Sequence, residues 1–159
     1  MTKFQSILND LLVIVLLCIA IWLGYNYYQV QYEEEKVTVK LEQPEFFLAD
    51  TPTKELVKEA CEYFELKYSE IVVAQSILET GHYNSNNCIK HNNLFGLYNS
   101  KSEQYYKFDK WWKSVIAYRD MIQYRYKDGD YYEWLQKIGY AEDPQYIAKV
   151  KEIVKRYKL

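Results

Sequence analysis

The sequence predicts a mostly α-helical domain carried behind an N-terminal membrane-spanning helix. Three observations predict it. Residues 11–32 carry no charge. Further on, apolar residues recur at helical spacing in segments opened by Thr51, Ser69 and Asp143. Alternating strand patterns are confined to brief runs. The chain has 159 residues, room for one modest domain and an appendage. A net charge of −2 provides no basic field for nucleic acid, so none is expected as a partner. Aromatics make up 18% of the chain, with 18 tyrosines. That suits a sugar-stacking groove, but equally suits tyrosine used as core filler, so composition alone does not decide.

Residues 1–28 read as a transmembrane signal anchor. Leu11 to Tyr28 as a helix spans about 27 Å at 1.5 Å per residue, close to a bilayer core. Trp22, Tyr25, Tyr27 and Tyr28 gather at its far end, where amphipathic rings suit a membrane interface. The bulky "WLGYNYY" offers no small-residue cleavage site, which argues against a cleaved signal. Lys3 is offset by Asp10, and "EEEK" follows the span. The expected topology is single-pass in the cytoplasmic membrane, with the C-terminal domain outside the cytoplasm. Residues 29–50 lack a sustained helical stripe and read as a solvated tether interrupted by Pro44.

The domain is expected at 51–159. Its first helix has Thr51 as cap, Pro52 in the first turn, and Leu56, Val57, Ala60, Cys61 and Phe64 on one face. Ser69 is the expected cap of a second helix, "EIVVAQSILET", apolar nearly all round and therefore central, with Gly81 ending it. Residues 82–93 are polar and loop-like, and 92–112 predict loop with a small hairpin. Further helices are expected at 113–127, at 131–138, and from Asp143 with Pro144 in its first turn. Ile147, Val150, Val154 and Tyr157 line one side of the last. The three cysteines leave a Cys61–Cys88 disulfide or two free thiols open. No CxxC pair or His-Cys cluster is present, so neither metal nor cofactor is expected.

Glu79 stands out at the join between the apolar helix and the Asn-rich loop. The end of a helix concentrates negative potential, and apolar surroundings penalise ionisation. Both raise a carboxyl pKa toward the range a general acid needs. An ordinary exposed glutamate at a helix end is the competing reading.

The stretch "AQSILETGHYNSNNCIKHNNLFGLY" resembles the core of the glucosaminidase family of peptidoglycan hydrolases, glycoside hydrolase family 73. Ala74, Gln75, Leu78, Glu79, Thr80 and Gly81 match its first block, and residues 92–96 its second. "YAEDPQY" at 140–146 matches a third. The resemblance covers about 53–158. It implies a lysozyme-like fold that cleaves the β-1,4 bond after N-acetylglucosamine in peptidoglycan glycan strands. It further implies Glu79 as general acid and Tyr140 as a cleft tyrosine near the acid and the substrate's acetamido group. Phe95 would belong to the sugar cleft, with inward packing as the alternative, and Asn93 would hold the loop. Gln75, Asn93, Phe95 and Tyr146 form the implied substrate-binding set, Tyr146 leaning toward packing. Leu97-Tyr98 stands where the family often has Ile-Lys. A second carboxylate would come from "NSKSEQYYKFDK", where Glu103 fits better than Asp109; attack by the sugar's own acetamido group would dispense with it. The competing functions are a tethered peptidoglycan-binding module without turnover, and a muramidase or lytic transglycosylase on the same fold.

Overall fold

The computed structural model describes residues 3–41 and 43–159. Among them are eight α-helices, one 3-10 turn and a two-stranded sheet, in two compact units that meet between Gln43 and Pro44.

The first unit is a single helix, α1 (Lys3–Leu41). Its segment Ile7–Glu34 is long and apolar enough to cross a membrane. The helix does not end at 28, where the predicted tether begins. Residues 25–43 contain neither proline nor glycine, so nothing in the backbone chemistry stops it before Pro44.

The second unit, Pro44–Leu159, takes up the rest of the predicted tether. Helix α2 (Glu45–Leu48) buries Phe46 completely. The Phe46 ring packs on Phe47, Phe64 and Trp111, with centroids at 4.2, 5.5 and 6.3 Å. Trp111 donates its indole N–H to the Ala49 carbonyl at 2.9 Å, which ties this segment into the domain. Helix α3 (Lys54–Tyr63) is capped by Thr53 rather than by Thr51. Extended Thr53 accepts the Leu56 N–H, so the helix starts after Pro52 instead of on it. Val57, Ala60 and Cys61 face the core. Cys61 and Cys88 are both free and buried, which resolves the cysteine alternatives. Burial raises both thiols, Cys88 to about 11.

Helix α4 (Ser69–Thr80) is the axis of the domain and packs against α3 and, later in the chain, α8 (Tyr146–Tyr157). Residues 71–77 are all buried, as near-continuous apolarity predicts. Its start differs from expectation. Tyr68, left-handed at φ 54°, holds the cap position with no side-chain capping bond, and Ser69 is the first helical residue. The polar run after α4 is not all loop: α5 (Asn86–His91) forms because Ser85 accepts the Cys88 N–H and left-handed Asn92 ends it.

Strands β1 (Tyr98–Asn99) and β2 (Gln104–Tyr105) pair antiparallel in the predicted hairpin, Tyr98 opposite Tyr105. Helix α6 (Trp112–Met121) gives way to a 3-10 turn (Gln123–Arg125) where one longer helix was expected. That turn brings Gln123 against the Lys67 backbone. Asp130 caps α7 (Tyr131–Lys137). Asp143 and Pro144 form a turn ahead of α8, in which Asp143 accepts the Gln145 N–H at 2.8 Å, and do not open the helix itself.

Candidate active site

Helix α4 delivers Glu79 in its last turn, and Gly81 ends the helix in the left-handed conformation. His82 and Tyr83 continue left-handed at φ 62° and 65°. Each of these two side chains costs roughly 1–2 kcal/mol in that conformation. The reversal folds Tyr83 back over α4, where its hydroxyl meets Ser76 Oγ at 3.0 Å and its N–H meets Thr80 Oγ1 at 2.8 Å. The strain is thus offset by bonds that hold the end of the helix carrying the acid.

Glu79 opens into a cleft of about 340 Å³. Phe95, Gly96 and Tyr98 form one wall; Arg125 and Tyr140 line it elsewhere. Among the residues lining this cleft, Glu79 is the sole carboxylate. The residue keeps one side open to solvent, while its inner side is desolvated, and that burial raises its pKa. A hydrogen bond from the Tyr146 hydroxyl offsets part of the rise by favouring the ionised form. Gly96, at φ 60°, passes so close that a Cβ there would stand 3.4 Å from Glu79 Oε2. The positive φ favours glycine in that turn, while the contact itself is an ordinary van der Waals one. A larger hollow, about 620 Å³, lies between the start of α3, the turn after α4 and Tyr157, and does not include Glu79.

The other predicted residues divide sharply. Tyr140 lines the cleft, but its hydroxyl donates to the Phe95 carbonyl at 3.3 Å, so its proton is committed to the wall. Phe95 borders the cleft with its ring packed inward, 3% exposed and 4.5 Å from the Tyr118 ring, and so offers no stacking face. Three of the predicted substrate contacts are buried. Gln75 is fully buried between the Tyr118 and Tyr146 hydroxyls. Tyr146 is itself buried, with Glu79 as a neighbour of its hydroxyl. Asn93 is buried too, donating to the Leu97 and Tyr106 carbonyls at 2.9 and 3.0 Å and accepting the Leu97 N–H at 2.9 Å. Its amide is spent on backbone and shapes the wall. Glu103 sits exposed in the hairpin turn at φ 52°, outside the set of residues lining the cleft.

Two residues escaped prediction. Tyr98, half exposed, lines the cleft, with its ring edge-on to Tyr105 at 5.2 Å. It stands where the family pattern has lysine, and the tyrosines flanking "NSKSEQ" were the available signal. Arg125 supplies the cleft with a cation, and nothing in its local sequence distinguishes it from a solvated arginine.

The family model described as glucosaminidase, mannosyl-glycoprotein endo-beta-N-acetylglucosaminidase, matches residues 54–159. No curated protein matches the chain. Among solved structures, the catalytic domain of the autolysin Auto from Listeria monocytogenes is similar at 20% identity and a TM-score of 0.47. That match covers 79% of this chain and 94% of the other.

Proposed function

The chain belongs to the glucosaminidase family, and on that premise we propose that it is a peptidoglycan hydrolase that cleaves the β-1,4 bond after N-acetylglucosamine, with Glu79 as general acid. The observation that carries this reading is the lone cleft carboxyl whose pKa is raised by burial. A protonated Glu79 gives its proton to the leaving glycosidic oxygen as the C1–O bond breaks. With no second carboxylate lining the cleft, the favoured partner is the substrate's own acetamido oxygen, which bonds to C1 and is later displaced by water. Tyr98 offers a flat face to a sugar ring at the cleft lip.

Digestion of purified peptidoglycan tests the bond. New N-acetylglucosamine reducing ends are expected. Muramic acid ends or anhydro products would reassign the cut, and no release at all would make this a binding module.

Helix α1 acts in this reading as a single-pass anchor that keeps the domain outside the cytoplasm, against the wall. The full-length protein is expected to stay in the membrane fraction through high-salt and carbonate washes, with its N-terminal residues retained in the intact mass. A mature species beginning between residues 20 and 30 would mean a cleaved signal instead.

A further inference from the structure

Five buried polar side chains lead, one to the next, from the turn before α4 to the acid at its end. Gln123 is 6% exposed, Tyr131 2%, Tyr118 and Gln75 0%, and Tyr146 7%. They come from five separate elements, and the path runs beside α4, roughly 15 Å from Ser69 to Glu79 at 1.5 Å per residue.

The direction of every bond in this path follows from its first member. A backbone N–H can only donate and a carbonyl can only accept. The Lys67 N–H reaches Gln123 Oε1 at 2.9 Å, and the Lys67 carbonyl takes Gln123 Nε2 at 2.8 Å. The Gln123 amide is therefore fixed in one orientation. Its remaining N–H donates to the Tyr131 hydroxyl at 3.0 Å. Tyr131 must then spend its proton on Tyr118, 2.9 Å away, and Tyr118 spends its own on Gln75 Oε1 at 2.7 Å. That orients the Gln75 amide, so Nε2 donates to the Tyr146 hydroxyl at 3.2 Å. The Tyr146 hydroxyl neighbours Glu79 and Tyr140, and of these an ionised carboxylate is the stronger acceptor.

We infer that Gln123, Tyr131, Tyr118 and Gln75 are positioning residues that form a one-way donor chain. The chain is anchored on the Lys67 backbone and holds the Tyr146 hydroxyl as a permanent donor to the general acid. This rests on the reading of Glu79 as that acid. Such chains polarise one another, so the last bond is stronger than an isolated tyrosine would make it. The chain balances the cleft. Burial raises the Glu79 pKa, and the donor works against that rise by favouring the ionised form. Around Glu79, α8 contributes Tyr146, the turn before it contributes Tyr140, and the cleft wall contributes Tyr98 and Arg125. Tyr140 has committed its proton to the Phe95 carbonyl.

The test is the pH profile of kcat/KM for the full-length protein on solubilised glycan strands. Catalysis needs protonated Glu79, so the alkaline limb reports its pKa. Tyr146→Phe removes the donor and moves that limb up. Tyr118→Phe keeps the ring packing but frees Gln75 to turn its oxygen toward Tyr146 and take that proton. Its limb moves up as well, although residue 118 lies outside the cleft lining. A merely structural role lowers rate without moving the limb. Tyr131→Phe repeats the test should Tyr118→Phe lose its near-ultraviolet dichroism. The inference is overturned if the limb moves for Tyr146→Phe but for neither inner tyrosine variant, or for none of the three. Glu79→Gln, run alongside, separates the two ideas: a fully active Glu79→Gln overturns the acid and the chain together, whereas an inactive one with unmoved limbs overturns the chain alone.

Discussion

Glu79→Gln is expected to remove nearly all turnover while leaving the fold intact. The amide matches the carboxyl in shape, and the side chain sits at the cleft mouth rather than in the packed axis of α4, so stability changes little. What disappears is the proton that must reach the departing glycosidic oxygen. General acid catalysis contributes about 10²–10⁴-fold, so release of reducing ends should fall by at least about a hundredfold. Retention of more than about a tenth of the wild-type rate contradicts the assignment, whatever the binding affinity does. Glu103→Gln is the matched control. From the hairpin turn, outside the cleft lining, it should cost little. A loss as large as that of Glu79→Gln would identify Glu103 as a second catalytic carboxylate that reaches the sugar when the hairpin bends inward.

The second large effect is expected at a residue buried behind the cleft wall. Asn93→Ala takes away the amide that bonds Leu97 N–H, the Leu97 and Tyr106 carbonyls and, at 3.4 Å, the Phe95 N–H. Buried backbone groups left without partners cost about 1–3 kcal/mol each. Leu97 carbonyl keeps a second bond from Tyr106 N–H, so a net loss of about 3 kcal/mol is expected. Thermal unfolding should drop by roughly 10 °C or more. Activity should fall beyond the loss of folded protein, because Gly96 and Phe95, on the same loop, wall the acid. Asn92→Ala, which gives up a single bond to the Phe108 carbonyl, serves as the milder comparison. A stability change at Asn93 below about 1 kcal/mol would show that the loop is held by other means.

The parts of this molecule that were legible in the sequence are those whose cause is local. The apolar continuity of 71–78 made α4 central, Gly81 marked its end, and the junction of the two isolated Glu79. Helix α2 was missed because its four residues, with two adjacent phenylalanines, show no period; their burial depends on Trp111, far along the chain. Helix α5 was missed because only Cys88 is buried within it, so no apolar stripe announces it. The amides were harder still. Gln75 and Asn93 have the chemistry of sugar-binding residues, and nothing in the linear order reveals that their partners are buried hydroxyls in one case and loop backbone in the other. Tyr98 read as an absent lysine, until the hairpin placed it on the cleft.

The unbroken burial of residues 71–77 has a consequence for how the two sides of the cleft behave in time. Amides inside α4 can meet solvent only when the domain opens as a whole, so their hydrogen exchange should report the global unfolding free energy. The hairpin has two residues per strand and an exposed turn. Its amides should exchange by local fraying, several orders of magnitude sooner. Equal protection on both sides in a native-state exchange experiment would contradict this. The acid, then, belongs to the slowest clock in the molecule and the lip bearing Tyr98 to one of the fastest, so a glycan strand entering the cleft meets a proton donor that waits and a rim that moves.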